Sequence, residues 1–425
     1  MNEGQYPIEI AWTGLEAIVG PEYIWRASVG DAIDGLEPAK VIAPANAQQV
    51  AEVLRFCNRA GLAIIPRGGG TKLAWGNRPQ KADIILSTER LNKVMEHAWG
   101  DMTATVEAGC TIANLQRTLQ EHGQRLAADP LYPETATVGG FLATADNGTF
   151  ALRYGGVRDL VLGVEIALPD GNLIKAGGKV VKNVAGYDLC KLVIGSLGTL
   201  GVITRAVFRL HPLANATATY TTLLSSVSEA TKLLLAILDS QLVYTGLQVR
   251  ADHPDQIAVD VRFEGIPECL QDQYAKLAQV SGGTPFVQCA AAVWNARENM
   301  FSGATDAAIC KCSVLPSQTG LVCESVFQQA QAAAATAVAV AQDTGVVQVR
   351  VDAPTPAFLL EALSGLRGEV ERLDGSLVVQ QCPIALKEAL DVWGPLNGGL
   401  PLMQQIKGKF DPARTLNPGR FVGAI

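Results

Sequence analysis

Charge and histidine are scarce in this chain of 425 residues, which has 18% charged residues and four histidines. Because the net charge is -7 and no long basic run occurs, the composition does not favour a nucleic-acid partner. No apolar run reaches the ~18 residues of a membrane span, and the first residues lack the basic and apolar regions of a leader. We therefore expect a cytoplasmic protein with no transmembrane segment, which a partner could bring to a membrane surface.

The nine cysteines are an odd number, and no Cys-x-x-Cys motif is present. Cys310 and Cys312 form a close pair, and on a strand their side chains would share one face because strand side chains alternate. This spacing in a cytoplasmic protein favours reduced thiols. We therefore predict no metal site in this chain.

Two common phosphate-binding patterns are also absent, Gly-x-Gly-x-x-Gly at the start of a helix and Gly-x-x-x-x-Gly-Lys-Ser/Thr. Instead, Arg67-Gly68-Gly69-Gly70-Thr71 follows the apolar run 62–65. Consecutive glycines can adopt positive φ and leave their N–H groups uncovered, so they can form a concave nest for a pyrophosphate. By itself, a glycine triplet is also typical of an ordinary turn.

The residues before this loop predict a packed scaffold for it. Residues 40–43 are typical of a strand, and Asn46, three residues before Gln49, predicts the start of a helix. Gly61 stands where a left-handed cap would end that helix. The apolar face of the helix is formed by Val50, Val53, Leu54 and Cys57. The glycine loop thus follows a strand-helix-strand unit, and loops on such scaffolds commonly carry ligand sites.

Three more segments of the N-terminal half are rich in small residues, 132–148, 154–163 and 195–204. Small side chains let a backbone approach a flat ligand closely. The ordered set of three segments, the glycine loop 67–71, residues 137–144 and residues 195–204, resembles the FAD domain of the vanillyl-alcohol oxidase or p-cresol methylhydroxylase type. More narrowly, residues 177–189 and the closing segment 410–420 resemble the FAD-binding E subunits of bacterial glycolate oxidases.

This resemblance implies FAD and a set of residues that bind it. Backbone groups of the glycine loop would hold the pyrophosphate, the second segment would line the flavin side, and the third would contact the cofactor through main-chain groups. The implied residues are Arg67, Gly68, Gly69, Gly70, Thr71, Thr137, Gly139, Gly140, Ala143, Thr144, Val202 and Ile203. Flavin-linked relatives often have histidine where this chain has Thr71, and a threonine hydroxyl cannot form that link. We therefore expect non-covalent FAD.

The resemblance also implies an α+β fold. We expect a two-subdomain FAD-binding domain of the p-cresol methylhydroxylase type over 1–213, an α+β cap domain related to ferredoxin-like folds over 214–408, and a segment, 409–425, that returns to the FAD domain. Within the cap, the sequence pattern predicts strands at 217–224, 246–250, 257–261, 346–351 and 377–381, and helices at 227–238, 323–342 and 355–366. This alternation predicts antiparallel sheets covered by helices.

The sequence identifies no catalytic residue. Oxidation of a 2-hydroxy acid by a flavin needs a proton acceptor, usually histidine, and a group that holds the carboxylate. His253 lies in Asp-His-Pro-Asp, which indicates a surface turn, and His211 precedes a proline at the end of a strand pattern. Ion pairing with nearby acidic side chains explains Arg153, Arg158 and Lys182 equally well. Packing in the core explains Tyr187.

The resemblance therefore implies the FAD-binding subunit of a glycolate oxidase or dehydrogenase complex. Such a complex oxidises glycolate to glyoxylate with a related FAD-containing catalytic subunit and an iron-sulfur subunit. Two alternatives stay open, a free-standing FAD-dependent dehydrogenase of D-2-hydroxy acids and a structural subunit with an inert flavin site.

Acid precipitation tests the expected mode of cofactor attachment. Because Thr71 offers no nitrogen for a bond to the flavin ring, acid should release all of the yellow flavin into the supernatant. Apoprotein mixed with free FAD provides the reference. Yellow colour that stays with the washed, denatured pellet would contradict non-covalent binding.

Overall fold

The computed structural model describes residues 8–178, 188–303, 306–396 and 398–425. Its helices are α1 (Ile8–Val19), α2 (Ala47–Ala60), α3 (Ile112–Gln120), α4 (Val138–Thr144), α5 (Ala151–Tyr154), α6 (Val157–Leu160), α7 (Leu189–Val193), α8 (Val227–Leu238), α9 (Pro267–Val280), α10 (Ala296–Asn299), α11 (Thr319–Ala332), α12 (Pro356–Arg372), α13 (Ile384–Ala389) and α14 (Leu400–Phe410). Among the helices of these ranges, none combines the length and the apolar character that a bilayer crossing requires.

The strands are β1 (Ile24–Arg26), β2 (Lys40–Ile42), β3 (Ile64–Arg67), β4 (Ile84–Ser87), β5 (Val94–Ala98), β6 (Thr103–Glu107), β7 (Gln124–Arg125), β8 (Val161–Ala167), β9 (Leu173–Gly177), β10 (Val202–Arg209), β11 (His211–Pro212), β12 (Ala216–Leu224), β13 (Gly246–His253), β14 (Gln256–Gly265), β15 (Val287–Cys289), β16 (Ala307–Ser313), β17 (Thr336–Gln342), β18 (Val346–Asp352) and β19 (Ser376–Gln381). This mixture of helices with largely antiparallel sheets confirms the expected α+β class.

The chain divides into two compact units. The first comprises 1–147, 156–213 and 395–425, and the second comprises 148–155 and 214–394. The sequence placed the return to the first domain at 409, whereas the contacts of the chain place it at 395. The physical reason is α14, whose Lys407 donates to the carbonyl oxygens of Thr199 and Leu416 within the first unit.

The first unit contains a small sheet with the order β1-β2-β4-β3, in which β4 runs parallel to both β2 and β3. Ile84, Ile85 and Leu86 of β4 are all buried, as expected for a central strand covered on both faces. The predicted helix is confirmed as α2. The Asn46 side chain accepts from the Gln49 amide at 2.9 Å, and Gly61 ends the helix in the left-handed conformation.

A second sheet of the first unit has the antiparallel order β5-β6-β10-β8-β9. Its buried face packs on α3, α4 and α7 through apolar side chains such as Phe141 and Phe208. The strand β10 pairs with both β6 and β8, so it lies at the centre of the sheet. The helix α4, which carries the second small-residue segment, is therefore seated on a rigid support.

The second unit contains an antiparallel sheet with the order β15-β12-β14-β13-β17-β18-β16-β19. One face carries an apolar core shared with α8, α11 and α12. The helix predicted at 227–238 is confirmed as α8, and the Ser226 side chain caps it by accepting from the Glu229 amide. Cys310 and Cys312 share the buried face of β16 as free thiols, and burial raises the pKa of both.

The single long helix predicted at 323–342 is wrong. The helix α11 ends at Ala332, and Ala334 adopts a left-handed conformation with φ 49 before β17 begins. Ala337, Ala339 and Ala341 then alternate into the core, because β17 pairs with β13 and β18 on its two sides. Alanine fits this position because the strand is covered by a helix, although its helix propensity favoured the other reading.

A buried ion pair holds α14 to the first unit, and its removal tests this attachment. Lys407 Nζ lies 2.6 Å from Asp411 Oδ2, and the two side chains are 1% and 0% exposed. Lys407→Met should lower the free energy of unfolding by about 3 kcal/mol, because it leaves the Asp411 carboxylate buried without its cation. Urea unfolding measures the change. The matched control is Lys409→Met on the exposed face of the same helix, and equal losses in the two variants would contradict this account.

Candidate functional site

The glycine loop after β3 forms one wall of a cleft in the first unit. Residues from three distant parts of the sequence contribute to the other walls. The lining residues are Pro66, Arg67, Gly68, Gly69, Gly70, Thr71, Lys72, Leu73, Thr137, Gly140, Ala143, Thr144, Leu197, Asn417 and Arg420. About 500 Å³ within the cleft is not occupied by protein atoms, and part of this space is open solvent.

The structure brings most of the predicted cofactor residues to this cleft. Those that line it are Arg67, Gly68, Gly69, Gly70, Thr71, Thr137, Gly140, Ala143 and Thr144. Gly139 instead lies against the backbone and side chain of Ala108 in the neighbouring core. Val202 and Ile203 bury their side chains in the two cores of the first unit. Contact of these three residues with a cofactor stays a prediction.

The loop glycines are required by close approach to residues 135–137. A Cβ on Gly68 would overlap the Thr137 hydroxyl, and a Cβ on Gly69 would overlap the Thr135 carbonyl oxygen. Gly70 adds a left-handed φ of 75, which an L side chain rarely adopts. Within the described part of the chain, the N–H groups of residues 68–71 donate to no other group. Four uncovered amides in succession match the nest that the sequence predicted.

The side chain of Arg67 is fixed by an ion pair. Its guanidinium donates to Asp31, which also accepts from the Ser28 amide and hydroxyl at 2.7 Å. The hydrogen bond from Arg67 is the largest cause that lowers the pKa of Asp31 to about 2, so the carboxylate is ionised at neutral pH. The Arg67 guanidinium is therefore fixed at the edge of the loop, and the Asp31 carboxylate balances its positive charge.

Lys72 is a cleft residue that sequence reasoning missed. Its ammonium lies 3.2 Å from the Asp146 carboxylate, and the two side chains are 5% and 1% exposed. Asp146 also accepts from the Leu131 amide at 2.8 Å. The available signal was a lysine directly after the glycine triplet, but nothing local in the sequence points to its partner 74 positions later. This pair joins the glycine loop to the segment that follows α4.

The C-terminal segment supplies two further lining residues, Asn417 and Arg420. The Arg420 guanidinium donates to the carbonyl oxygens of Leu73 and Trp75, which fixes the chain beyond the glycine loop. Burial lowers the pKa of Arg420 to about 10, so it stays charged at neutral pH. Asn417 donates from Nδ2 to the Leu197 carbonyl oxygen at 2.6 Å. In the sequence this segment stands out only as a whole, because nothing local indicates the contacts of Asn417 and Arg420.

The other candidate residues lie elsewhere. His253 is exposed and pairs with Asp255, and His211 lies on the short strand β11. Arg153 is exposed, and Arg158 donates to the Ile194 carbonyl oxygen. Residues 179–187 of the family-like segment 177–189, Lys182 and Tyr187 among them, lie outside the described residues. Among the residues described, no group of three or more His, Cys, Asp or Glu side chains is placed to hold a metal ion.

Comparison with known protein families indicates which ligand this cleft binds. Residues 38–177 match the family model of an FAD binding domain. The match includes the glycine loop and α4, and therefore most of the lining residues. Two features of the cleft fit FAD: the uncovered amides suit its pyrophosphate, and Asn417 Oδ1 is a buried acceptor without a donor among the described residues.

The chain is also similar to several named proteins. It is 32% identical over 223 residues to glycolate oxidase subunit GlcD of Bacillus subtilis (strain 168), covering 52% of this chain and 47% of that protein. It is 42% identical over 172 residues to D-lactate dehydrogenase of Archaeoglobus fulgidus, and the match covers 40% of this chain and 38% of that protein. It is 34% identical over 173 residues to D-2-hydroxyglutarate dehydrogenase of Xanthomonas citri pv. viticola, covering 41% and 37%. The matched region thus spans less than half the length of each of these relatives.

A glycine variant tests whether the loop holds FAD. Gly69→Ala should raise the dissociation constant for FAD about tenfold, a loss of about 1.4 kcal/mol in binding, and so lower the FAD content of the purified protein, because the new Cβ forces the loop away from Thr135. Flavin absorbance per mole of protein gives the measurement. Gly100→Ala is the matched control, since a Cβ there meets open space. Equal FAD contents in the two variants would show that the loop does not hold the cofactor.

Solved structures agree on the fold. The chain superposes on p-cresol methylhydroxylase with substrate bound at a TM-score of 0.80 and 15% identity, covering 99% of this chain and 98% of that one. An alkyldihydroxyacetonephosphate synthase gives a TM-score of 0.75 at 17% identity, covering 99% and 87%. The expected fold of the p-cresol methylhydroxylase type is thereby confirmed. Residues 38–177 form an FAD-binding domain, and the chain that carries it has the fold of p-cresol methylhydroxylase.

Proposed function

We propose that this chain is the FAD-binding subunit of a glycolate oxidase or dehydrogenase complex that oxidises glycolate to glyoxylate. The observation that carries the proposal is the cleft itself. It is lined by residues 68–71, whose amides donate to no other group among the described residues, by residues of α4 and by Asn417. When bound, FAD supplies the acceptor for the two electrons that leave the hydroxyl-bearing carbon of a 2-hydroxy acid. The FAD-binding domain supports a redox reaction as the activity of the protein.

The choice of substrate class is supported by the names of the relatives. Glycolate, D-lactate and D-2-hydroxyglutarate are all 2-hydroxy acids, and the similar proteins are named for their oxidation. They differ in the group attached to the hydroxyl-bearing carbon, and the FAD-binding region they share with this chain does not distinguish them. Glycolate is proposed because residues 177–189 and 410–420 resemble glycolate oxidase E subunits.

The residues of the chain divide the work of binding. The amides of residues 68–71 would hold the pyrophosphate, Lys72 would add positive charge beside them, and Arg420 would keep the loop in shape through its two carbonyl contacts. Gly139 would line the flavin side, and Val202 and Ile203 would contact the cofactor mainly through main-chain groups. Thr71 would leave the cofactor free to dissociate.

A partner subunit would provide the base that this chain lacks in its cap. His253 is the histidine between residues 214 and 408, and its side chain is 64% exposed beside Asp255. It is therefore a poor candidate for a proton acceptor in a closed site. A related FAD-containing catalytic subunit and an iron-sulfur subunit would supply the substrate site and the route for electrons. The complex would lie in the cytoplasm and meet a membrane through these partners.

Purification of the native complex tests the proposal. We expect the tagged chain to bring down a second flavoprotein and an iron-sulfur protein in fixed ratio, and the assembly to reduce a dye with glycolate. The purified chain alone should hold FAD and show no glycolate turnover. Reassembly with the Gly69→Ala chain should preserve the complex and lower turnover if FAD in this subunit carries electrons, with Gly100→Ala as the control.

The alternatives predict other outcomes. A lone homomer that oxidises D-2-hydroxy acids would identify a free-standing dehydrogenase. A complex whose turnover is unchanged by loss of FAD from this chain would identify a structural subunit with an inert flavin site. Faster dye reduction with D-lactate or D-2-hydroxyglutarate than with glycolate would overturn the substrate assignment while leaving the subunit role intact.

A further inference from the structure

Asn417 has a buried side-chain amide in which the NH₂ group, but not the oxygen, has a hydrogen-bond partner among the described residues. The residue is 3% exposed and lines the cleft. Its Nδ2 donates to the Leu197 carbonyl oxygen at 2.6 Å, whereas its Oδ1 is buried and has no donor among the residues that the structure describes. Buried acceptors are rarely left in this state, because each carries a desolvation cost.

The direction of the amide is fixed by chemistry. A carbonyl oxygen such as that of Leu197 accepts hydrogen bonds and cannot donate them, so the NH₂ group of Asn417 must face it. The opposite assignment would place two acceptors 2.6 Å apart. The acceptor that needs a donor is therefore Oδ1.

The backbone around Asn417 is fixed without any ligand. Its amide donates to the Ile64 carbonyl oxygen at 2.9 Å, and its own carbonyl oxygen accepts from the Arg420 amide at 3.2 Å. Its φ of 43 is left-handed, a conformation that asparagine tolerates better than most residues. Just before it, Leu416 is held through Lys407 and Asp411. The acceptor is thus positioned in advance by the fold.

We propose that Asn417 Oδ1 accepts a hydrogen bond from a donor group of bound FAD, which makes the C-terminal segment a cofactor-positioning element of the cleft. The inference rests on the occupation of this cleft by FAD, which is part of the proposed function. FAD offers N–H donors on its two ring systems and O–H donors on its ribose and ribitol, and Asn417 would select one of them.

The test compares FAD affinity with stability in two variants of the same segment. Asn417→Gly keeps the left-handed backbone and removes the acceptor, so the dissociation constant for FAD should rise about threefold to tenfold, the effect of one neutral hydrogen bond. Thr415→Val is the matched control. It removes the hydroxyl that bonds to Asp411 and Asn58 two residues away, and Thr415 does not line the cleft. It should lower the apoprotein Tm and leave FAD affinity unchanged.

Titrations with ADP and with riboflavin locate the donor. Weaker binding of ADP by Asn417→Gly would place the donor on the nucleotide half, and weaker binding of riboflavin would place it on the flavin half. Either result supports the proposal. It is overturned if Asn417→Gly lowers the apoprotein Tm but binds FAD as tightly as the wild type. Failure of the wild type to bind FAD would instead remove the proposed function itself, whereas tight FAD binding by a chain that joins no glycolate-oxidising complex would leave this inference standing.

Discussion

The backbone of residues 68 and 69 lies directly against residues 135–137, and this close approach defines the cofactor cleft. Because a methyl group at either glycine would overlap Thr137 or Thr135, the two segments can pack only through bare Cα atoms. Packing of this kind uses no hydrogen bonds, so the amides of the loop stay uncovered. The Thr137 hydroxyl meanwhile accepts from the Gly140 amide and starts α4. One steric fit thus leaves donors for an anion and seats the helix beside them.

The support behind the loop comes from the far end of the sequence. The strand β3 pairs with β4 on one side, and on the other the Ile64 amide and carbonyl bond to Thr415 and Asn417. Both edges of the strand that leads into the loop are therefore occupied, which limits how far the loop can drift. The buried pair of Lys407 and Asp411 holds the C-terminal segment in this position. Loss of the return segment would open one edge of β3 and remove two residues from the cleft.

The sequence predicted the features that depend on local signals. The helix α2 has its cap at Asn46 and its left-handed end at Gly61, and α8 runs over the expected range. The prediction failed at 323–342, where alanine fits a helix and a covered strand equally well and pairing with β13 and β18 decided the outcome. Likewise, the glycines of the site were visible as a pattern. The partners of Lys72 and Asn417 were not, because each contact joins residues far apart in the chain.

The buried carboxylate of Asp260 in the second unit has partners within the fold, whereas the buried amide oxygen of Asn417 in the first unit has no donor among the described residues. On the polar face of the sheet in the second unit, Asp260 is fully buried and accepts from Gln248 at 2.9 Å and from Arg250 at 2.6 Å. The hydrogen bond that Arg250 donates to the Asp260 carboxylate raises the pKa of the guanidinium, so both charges are matched within the fold. In the cleft of the first unit, four amides and one amide oxygen have no such partner among the described residues. Since an unsatisfied buried acceptor costs free energy, the Asn417 oxygen and the unbonded amides of the same cleft fit a site where a ligand supplies the missing bonds. The features that fit a bound cofactor therefore lie in the first unit, whereas Asp260 of the second unit is satisfied by its own sheet.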